Sequence, residues 1–319
     1  MTLFGYRPEG QLFTRPENKE ALSTPAGLER ARQAGQILEA PALLCDSDLR
    51  LFVDLGCMRG YIEREEAVWN RPGEVTKDIA VLTRVGKPVS FKVTGFSEEN
   101  GERVALLSRR AAQEECAEAI FSVLRPGDIL PARVTHLENY GAFVDIGCGI
   151  ASLLSIDCIS VSRITHPRDR LVCGTTISVA VKSIDRATRR VFVTLKELLG
   201  TWEENAARFK AGETVMGRVR SIESYGIFVE LAPNLAGLAE LRGSGNAPVR
   251  TAVGDLAAVY IKSIIPERMK VKLVIIDSYP SPDPPEALKY YIDPARTPHL
   301  DYWEYSPASC PKLIETIFE

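Results

Sequence analysis

One block of sequence occurs twice at a fixed spacing, and that repetition restricts the chain to folds made of like units set in series. Gly127-Asp-Ile-Leu-Pro-Ala-Arg133-Val-Thr135 followed by Tyr140-Gly-Ala-Phe143-Val-Asp145 returns 85 positions later as Gly212-Glu-Thr-Val-Met-Gly-Arg218-Val-Arg220 followed by Tyr225-Gly-Ile-Phe228-Val-Glu230. The back halves agree at an offset of 80, pairing Gly174 with Gly254, Lys182 with Lys262 and Arg190 with Lys270. An offset that drops once describes a duplicated unit with one shortened loop.

The residues between these landmarks predict strands. Short runs rich in Val, Ile, Phe and Thr are broken by Gly, Asn or Asp, which in the unit beginning at Gly127 places strands at 129–137, 142–147, 150–155, 176–185 and 190–195. Five short strands in about seventy residues fit a small closed barrel of the oligonucleotide/oligosaccharide-binding (OB) type. A fainter copy lies upstream. It runs from Gln36 to Cys45, turns at Asp46-Ser-Asp48, continues through Phe52-Val-Asp54-Leu-Gly56, and resumes after an insertion at Gly86 to close at Arg103–Ser108. Where the other copies have Tyr-Gly this one has Leu49-Arg50, so it is expected to keep the barrel and lose a ring.

The expected architecture is therefore all-β: three tandem five-stranded OB-type barrels joined by short helical linkers, with a helical lead-in and an extended tail. The units span 1–112, 126–197, 211–277 and 278–319. Linker helices are predicted at 111–124, ending before Pro126, and at 196–209, with Thr201 as a cap and Trp202 and Phe209 facing a barrel. In the lead-in, Thr14-Arg-Pro-Glu17 has the capping-box pattern and Thr24-Pro25 opens a second helix through Arg32. The tail holds too many prolines, Pro280 to Pro311, for regular structure, yet carries Tyr290, Tyr291, Tyr302, Trp303, Tyr305 and Phe318, and should pack extended against a barrel. Its acidity makes it a candidate competitor for a basic face; a solvated end with a few anchoring rings is the plainer reading.

Tyr140 and Phe143 stand three apart, so a regular strand would point them to opposite faces. A bulge at Gly141 would bring both rings to the outer face, and Gly226 would do the same for Tyr225 and Phe228. Outward rings bordered by Arg133, Lys182 and Arg190, and again by Arg218, Lys262 and Lys270, make the kind of stacking platform that holds single-stranded nucleic acid. The competing reading has Phe143 and Phe228 filling the barrels. Stacking gives about 1–3 kcal/mol per base and each neutralised phosphate adds about 0.7 to the salt slope, so micromolar binding is expected.

Gly-Asp-x5-Val, Tyr140-Gly-Ala-Phe143-Val-Asp145, Lys182-Ser-Ile-Asp185 and Arg189-Arg190-Val-Phe-Val-Thr-Leu-Lys196 resemble the RNA-binding repeat of bacterial small-subunit ribosomal protein S-one. The likeness covers 126–197 strongly and 211–276 well. It implies RNA-stacking roles for Tyr140 and Phe143, a polar turn role for Asp185 and a basic role for Arg190, with Tyr225, Phe228 and Lys270 as counterparts. Departures occur in both repeats: a histidine frequent on the third strand is replaced by Ser155 in 126–197 and by Glu240 in 211–276, and in the last repeat Ile265-Pro266 also stands where Asp185 would be, which weakens it. It further implies a role in translation, with messenger RNA as ligand and the small ribosomal subunit as a further partner. The first barrel would be the docking end.

Charge is distributed to match. The chain is −3 overall, but 127–196 is +3 and 212–276 is +2, while 36–110 is −1 and 277–319 is −5. Positive charge thus sits with the aromatics, as a polyanionic ligand requires. No run of eighteen apolar residues is present, and the N-terminal sequence lacks the apolar stretch of a secretory signal. Seven cysteines without a Cys-x-x-Cys pair indicate reduced thiols, so a cytoplasmic monomer is expected. Cys148, Cys158 and Cys173 lack zinc-site spacing, and His136, placed after the first strand of its repeat, His166 and His299 form no ligand pair or triad order. The tail carboxylates Asp277, Asp283, Glu286 and Asp293 read as solvated. No metal, cofactor or catalytic residue is expected. Two other classes stay open: an accessory subunit of RNA decay, which would co-purify with a nuclease, and a protein-interaction scaffold, whose RNA binding would ignore loss of the rings.

Overall fold

A computed structural model describes residues 5–71, 73–241, 250–281 and 287–319. Pro282, Asp283, Pro284, Pro285 and Glu286 of the tail lie outside the described residues. Fifteen of its strands close into three five-stranded barrels. Barrel 1 comprises β1 (Leu38–Cys45), β2 (Leu51–Asp54), β3 (Arg59–Ile62), β4 (Pro88–Glu99) and β5 (Glu102–Ser108). Barrel 2 comprises β6 (Ile129–Glu138), β7 (Gly141–Asp145), β8 (Ala151–Ser155), β9 (Thr176–Asp185) and β10 (Arg190–Thr194). Barrel 3 comprises β11 (Thr214–Glu223), β12 (Gly226–Ala232), β13 (Leu235–Ala239), β14 (Leu256–Ile265) and β15 (Lys270–Tyr279). In each, the third and fifth strands pair in parallel and complete the closure.

The duplication extends to single hydrogen bonds. Gly127 and Gly212 both take positive φ (89° and 94°) and donate to Val181 and Ile261 at 2.8 Å. Gly174 and Gly254 do likewise (87° and 100°), donating to Val134 at 2.7 Å and Val219 at 2.9 Å. These turns require backbone angles that a Cβ penalises, which is why glycine recurs there. Between the turns, period-two alternation fills the barrels: Ala142 and Val144 are buried in barrel 2, Ile227 and Val229 in barrel 3.

Helices join the units. α1 (Pro16–Leu22) and α2 (Pro25–Gln33) form the lead-in, α4 (Arg109–Val123) follows barrel 1 and α5 (Trp202–Ala206) precedes barrel 3, while α3 (Asp78–Leu82) lies in the barrel 1 insertion. Thr24 caps α2 through Gly27 N as expected, but Thr14 caps nothing: Arg15 holds the N-cap of α1 without a side-chain bond, because Pro16 already occupies the first turn. The helix expected over 196–209 is two pieces. A 3-10 turn at Lys196–Leu199 ends at Gly200, whose φ of 86° breaks the helix before Thr201 and Glu204 form a capping box for α5. Among the described residues no helix is long and apolar enough to cross a membrane.

The barrels interlock. Asn234, fully buried, accepts from Val161 N (2.9 Å) and donates to the carbonyls of Lys196 (2.7 Å) and Gly200 (2.8 Å), tying barrel 3 to the loop and exit of barrel 2. Beside it the buried Glu230 carboxylate accepts from Arg170 and from Arg220 Nε (2.8 Å). At the other junction Arg109 grips Glu9 with two bonds of 2.7 and 3.0 Å, while Glu9 N donates to Asp145 at 2.7 Å. Burial works against the Glu9 charge, yet Arg109 and Arg84 hold its carboxyl below the usual range. Burial pushes neighbouring Glu39 the other way, up to about 7.

The tail clasps barrels 2 and 3. Ile129 N donates to Pro298 O at 2.8 Å, Ser178 N to the Tyr290 hydroxyl at 3.0 Å, and the Tyr305 hydroxyl to Asn234 O at 2.5 Å. Trp303 and Tyr305 complete the core of barrel 3; Trp303 lies on β16 (Tyr302–Glu304), which pairs with β17 (Glu315–Ile317) in a short hairpin, and Tyr305 follows it. These contacts fall on β6, β9 and barrel 3.

Candidate nucleic-acid interface

Phe143 does not fill its barrel. It lies between the inward Ala142 and Val144 and is only partly buried, so strand alternation alone sets it outside. Tyr140 reaches the same side because it precedes β7, in the turn, and stays 56% exposed. The two ring centroids are 6.2 Å apart at 89°; Tyr225 and Phe228 repeat the arrangement at 6.1 Å and 88°, with Tyr225 67% exposed. Edge-to-face pairs of this kind leave ring faces open in two planes.

The expected bulge at Gly141 and Gly226 is not where the irregularity lies. Gly141 pairs regularly with Glu138 and Ser155, and both glycines have nearly extended φ (159°). Glycine is needed for space: a Cβ at Gly141 would meet Leu154 O at 2.5 Å, and one at Gly226 would meet Ala239 O at 2.8 Å. The bulges fall on the preceding strands, between Val134 and His136 and between Val219 and Ser221. The extra residue adds twist beside the rings.

Register builds the rest of the face. His136 pairs with Phe143, Phe143 with Leu153, Leu153 with Phe192 and Phe192 with Ser183, so one outer row crosses all five strands of barrel 2. His136 therefore lies within β6 and not after it. The same row in barrel 3 reads Ser221, Phe228, Leu238, Lys272, Ser263. Phe192 and His136 were missed as surface members. Phe192 alternates with buried Val191 and Val193 in Arg190-Val-Phe-Val-Thr, a signal present in the sequence.

The cationic border is smaller than expected. Arg133 donates to Glu9 O at 3.1 Å and pairs across from Asp145, beyond the ring row, so the N-terminal segment draws it away from the rings. Arg218 is engaged likewise by Gly254 O (2.8 Å) and Ser281 O (3.3 Å). The Lys182 ammonium donates to Cys158 Sγ at 3.0 Å, which raises its pKa. Arg190 is exposed, with Glu74 at 3.8 Å. Across from it Asp185 closes the β9–β10 turn, accepting from Ala187 N and Thr188 N (both 3.0 Å), and its bonds to Thr188 lower its pKa. In barrel 3, Lys270 is exposed opposite Ile265, and Lys262 has Glu240 at 3.5 Å. The Ile265-Pro266 turn is a 3-10 turn ending at Met269, whose φ is 48°.

Barrel 1 keeps more aromatic surface than its sequence signals. Phe52 occupies the place of Phe143, and Tyr61, on the unforeseen β3, faces it at 6.1 Å. Arg50 covers both rings, 5.7 and 5.5 Å from their centroids, and is pinned by Asp46 at 2.9 Å. Tyr61 is only 8% exposed, so this pair is closed to a base. The seven cysteines are free, and among the described residues no His/Cys/Asp/Glu group fit for a metal occurs.

The family model described as "S1 RNA binding domain" matches residues 123–196, which is barrel 2 with the end of α4. The small ribosomal subunit protein bS1 of Staphylococcus aureus (strain COL) is 30% identical over 257 residues, covering 76% of this chain and 63% of that protein. The bS1 protein of Pseudomonas aeruginosa is 29% identical over 237 residues, covering 72% and 41%. The bS1 homolog of Bacillus subtilis is 30% identical over 196 residues, covering 60% and 48%. The chain thus spans less than two thirds of the length of these relatives. Residues 123–196 match the S1 RNA-binding domain, and that match falls on the barrel with the fullest aromatic row.

Proposed function

We propose that the chain binds single-stranded RNA, chiefly across the outer face of barrel 2 and more weakly across barrel 3, and that it acts in translation by bringing message to the small ribosomal subunit. One observation carries the reading: a Tyr–Phe pair on the outer face of two barrels, with the same spacing and angle in both and its Tyr exposed. Stacking on such rings tolerates any base, which suits a ligand of varied sequence. Of the site residues, Tyr140, Phe143, Arg190, Tyr225, Phe228, Lys262 and Lys270 meet the strand directly. Lys182 and Asp185 shape the rim, and Arg133 and Arg218 hold the barrel ends. The names of the relatives support the ribosomal setting, and a cytoplasmic, monomeric, non-enzymatic protein follows from the same reading.

The test is sedimentation with small ribosomal subunits and a labelled unstructured message. The full chain brings the message into the subunit fraction, and Tyr140→Ala with Phe143→Ala leaves the message behind. Equal transfer by both proteins would contradict the proposal, and recovery with a nuclease instead of subunits would place the chain in RNA decay.

A further inference from the structure

The insertion in barrel 1 does not hang free. Arg71 donates from Nε to Arg189 O at 3.0 Å and from Nη2 to Ala151 O at 3.3 Å, seating residues 68–71 and 73–80 against barrel 2. Between them opens a cavity of about 640 Å3, lined on one side by Val75, Lys77 and Ile79 and on the other by Thr135, Asp145 and Ala151. Asp145 and Ala151 are paired, two residues along from the Phe143–Leu153 pair; Ala151 is exposed there, while Asp145 is buried and accepts from Glu9 N. Two strand residues advance about 6.8 Å, comparable with one nucleotide of an extended strand. The cavity is therefore the next station beside the rings, and its volume falls in the range of small-ligand pockets.

We propose that this cavity receives the nucleotide following the bases stacked on Tyr140 and Phe143, so that barrel 1 contributes a wall of the RNA groove of barrel 2. This rests on the proposed RNA-binding role of that face. Val75 and Ile79 are 79% and 62% exposed and offer an apolar seat for a base. Phosphate has cations in reach: Lys77 is exposed, while Glu74 holds Arg71 at 3.7 Å and Arg190 at 3.8 Å. An arriving phosphate competes with that one carboxylate for two arginines.

The experiment titrates the full chain with oligouridylates of about four and about ten nucleotides, the range of site sizes for such barrels. Val75→Asp with Lys77→Glu should weaken the longer strand about tenfold and leave the shorter one nearly unchanged, while Glu74→Gln should tighten the longer strand. A strand bearing 4-thiouridine should crosslink to peptides within 71–80. Unchanged long-strand affinity in both variants, or crosslinks confined to barrels 2 and 3, would overturn the cavity proposal. Tyr140→Ala with Phe143→Ala separates the two readings: loss of both strands with no effect at the insertion rejects the cavity alone, and no loss of either strand rejects the RNA face itself.

Discussion

Barrels 2 and 3 share a backbone to the level of individual turn hydrogen bonds and carry different surfaces. Both present the Tyr–Phe pair, but the outer row of barrel 2 continues into Phe192, where barrel 3 has Lys272, and starts at His136, where barrel 3 has Ser221. Barrel 3 also sets Glu240 beside Lys262, cancelling part of its positive charge. Duplication preserved what the barrel needs to close, namely its glycine turns, inward Val and Ile, and parallel third and fifth strands. Outward positions were free to diverge, and barrel 2 emerges as the better platform.

The barrels also differ in how they are completed. The core of barrel 3 includes Trp303 and Tyr305 from the tail, so Trp303→Ala should cost about 3–5 kcal/mol. Hydrogen exchange should then show β11–β15 opening well before β6–β10; uniform loss across both would mean that the barrels fold as one unit. Next in size, Phe192→Ala should weaken RNA binding by about 1–3 kcal/mol, whereas Lys272→Ala should cost less and act mainly through the salt dependence. Equal losses would erase the distinction between the two rows.

Two finer effects sharpen the comparison. Arg190→Ala should lower the salt slope of binding by about 0.7, and Arg133→Ala should leave it unchanged because its guanidinium serves Glu9 O. The junction that draws Arg133 away is itself sensitive to pH. Glu39 accepts from Leu12 N at 2.9 Å, and burial raises its pKa from 4.5 to about 7. A carboxyl raised on folding stabilises the fold while protonated, and that contribution is lost as pH climbs through the interval from 4.5 to about 7. Urea midpoints should fall across that interval in the wild type and fall less in Glu39→Gln.

The sequence carried the barrels well because their determinants are local. The five strands of barrel 2 sit within a few residues of their predicted places, since alternating Val and Ile between glycine turns leave little choice of register. The outward Tyr–Phe pairs were legible for the same reason, although the cause of their shared face was misassigned to Gly141. What stayed hidden depends on distant contacts. Phe192 joins the row through its pairings with Leu153 and Ser183, Arg133 is claimed by a carbonyl 124 residues away, and Arg50 covers Tyr61, which sits on the β3 strand that the faint repeat concealed. Gly200 is the exception: a glycine within a helical run was a local warning, and it marks the break between the 3-10 turn and α5.

The central claim is that outward rings on barrel 2 bind unpaired bases. Titrating a labelled unstructured RNA with the full chain, with Tyr140→Ala/Phe143→Ala and with Tyr225→Ala/Phe228→Ala tests it most directly. The account predicts a loss of about 2–6 kcal/mol for the first pair and a smaller loss for the second, with the fold of both variants intact. Affinity indistinguishable from wild type in the barrel 2 variant would contradict it.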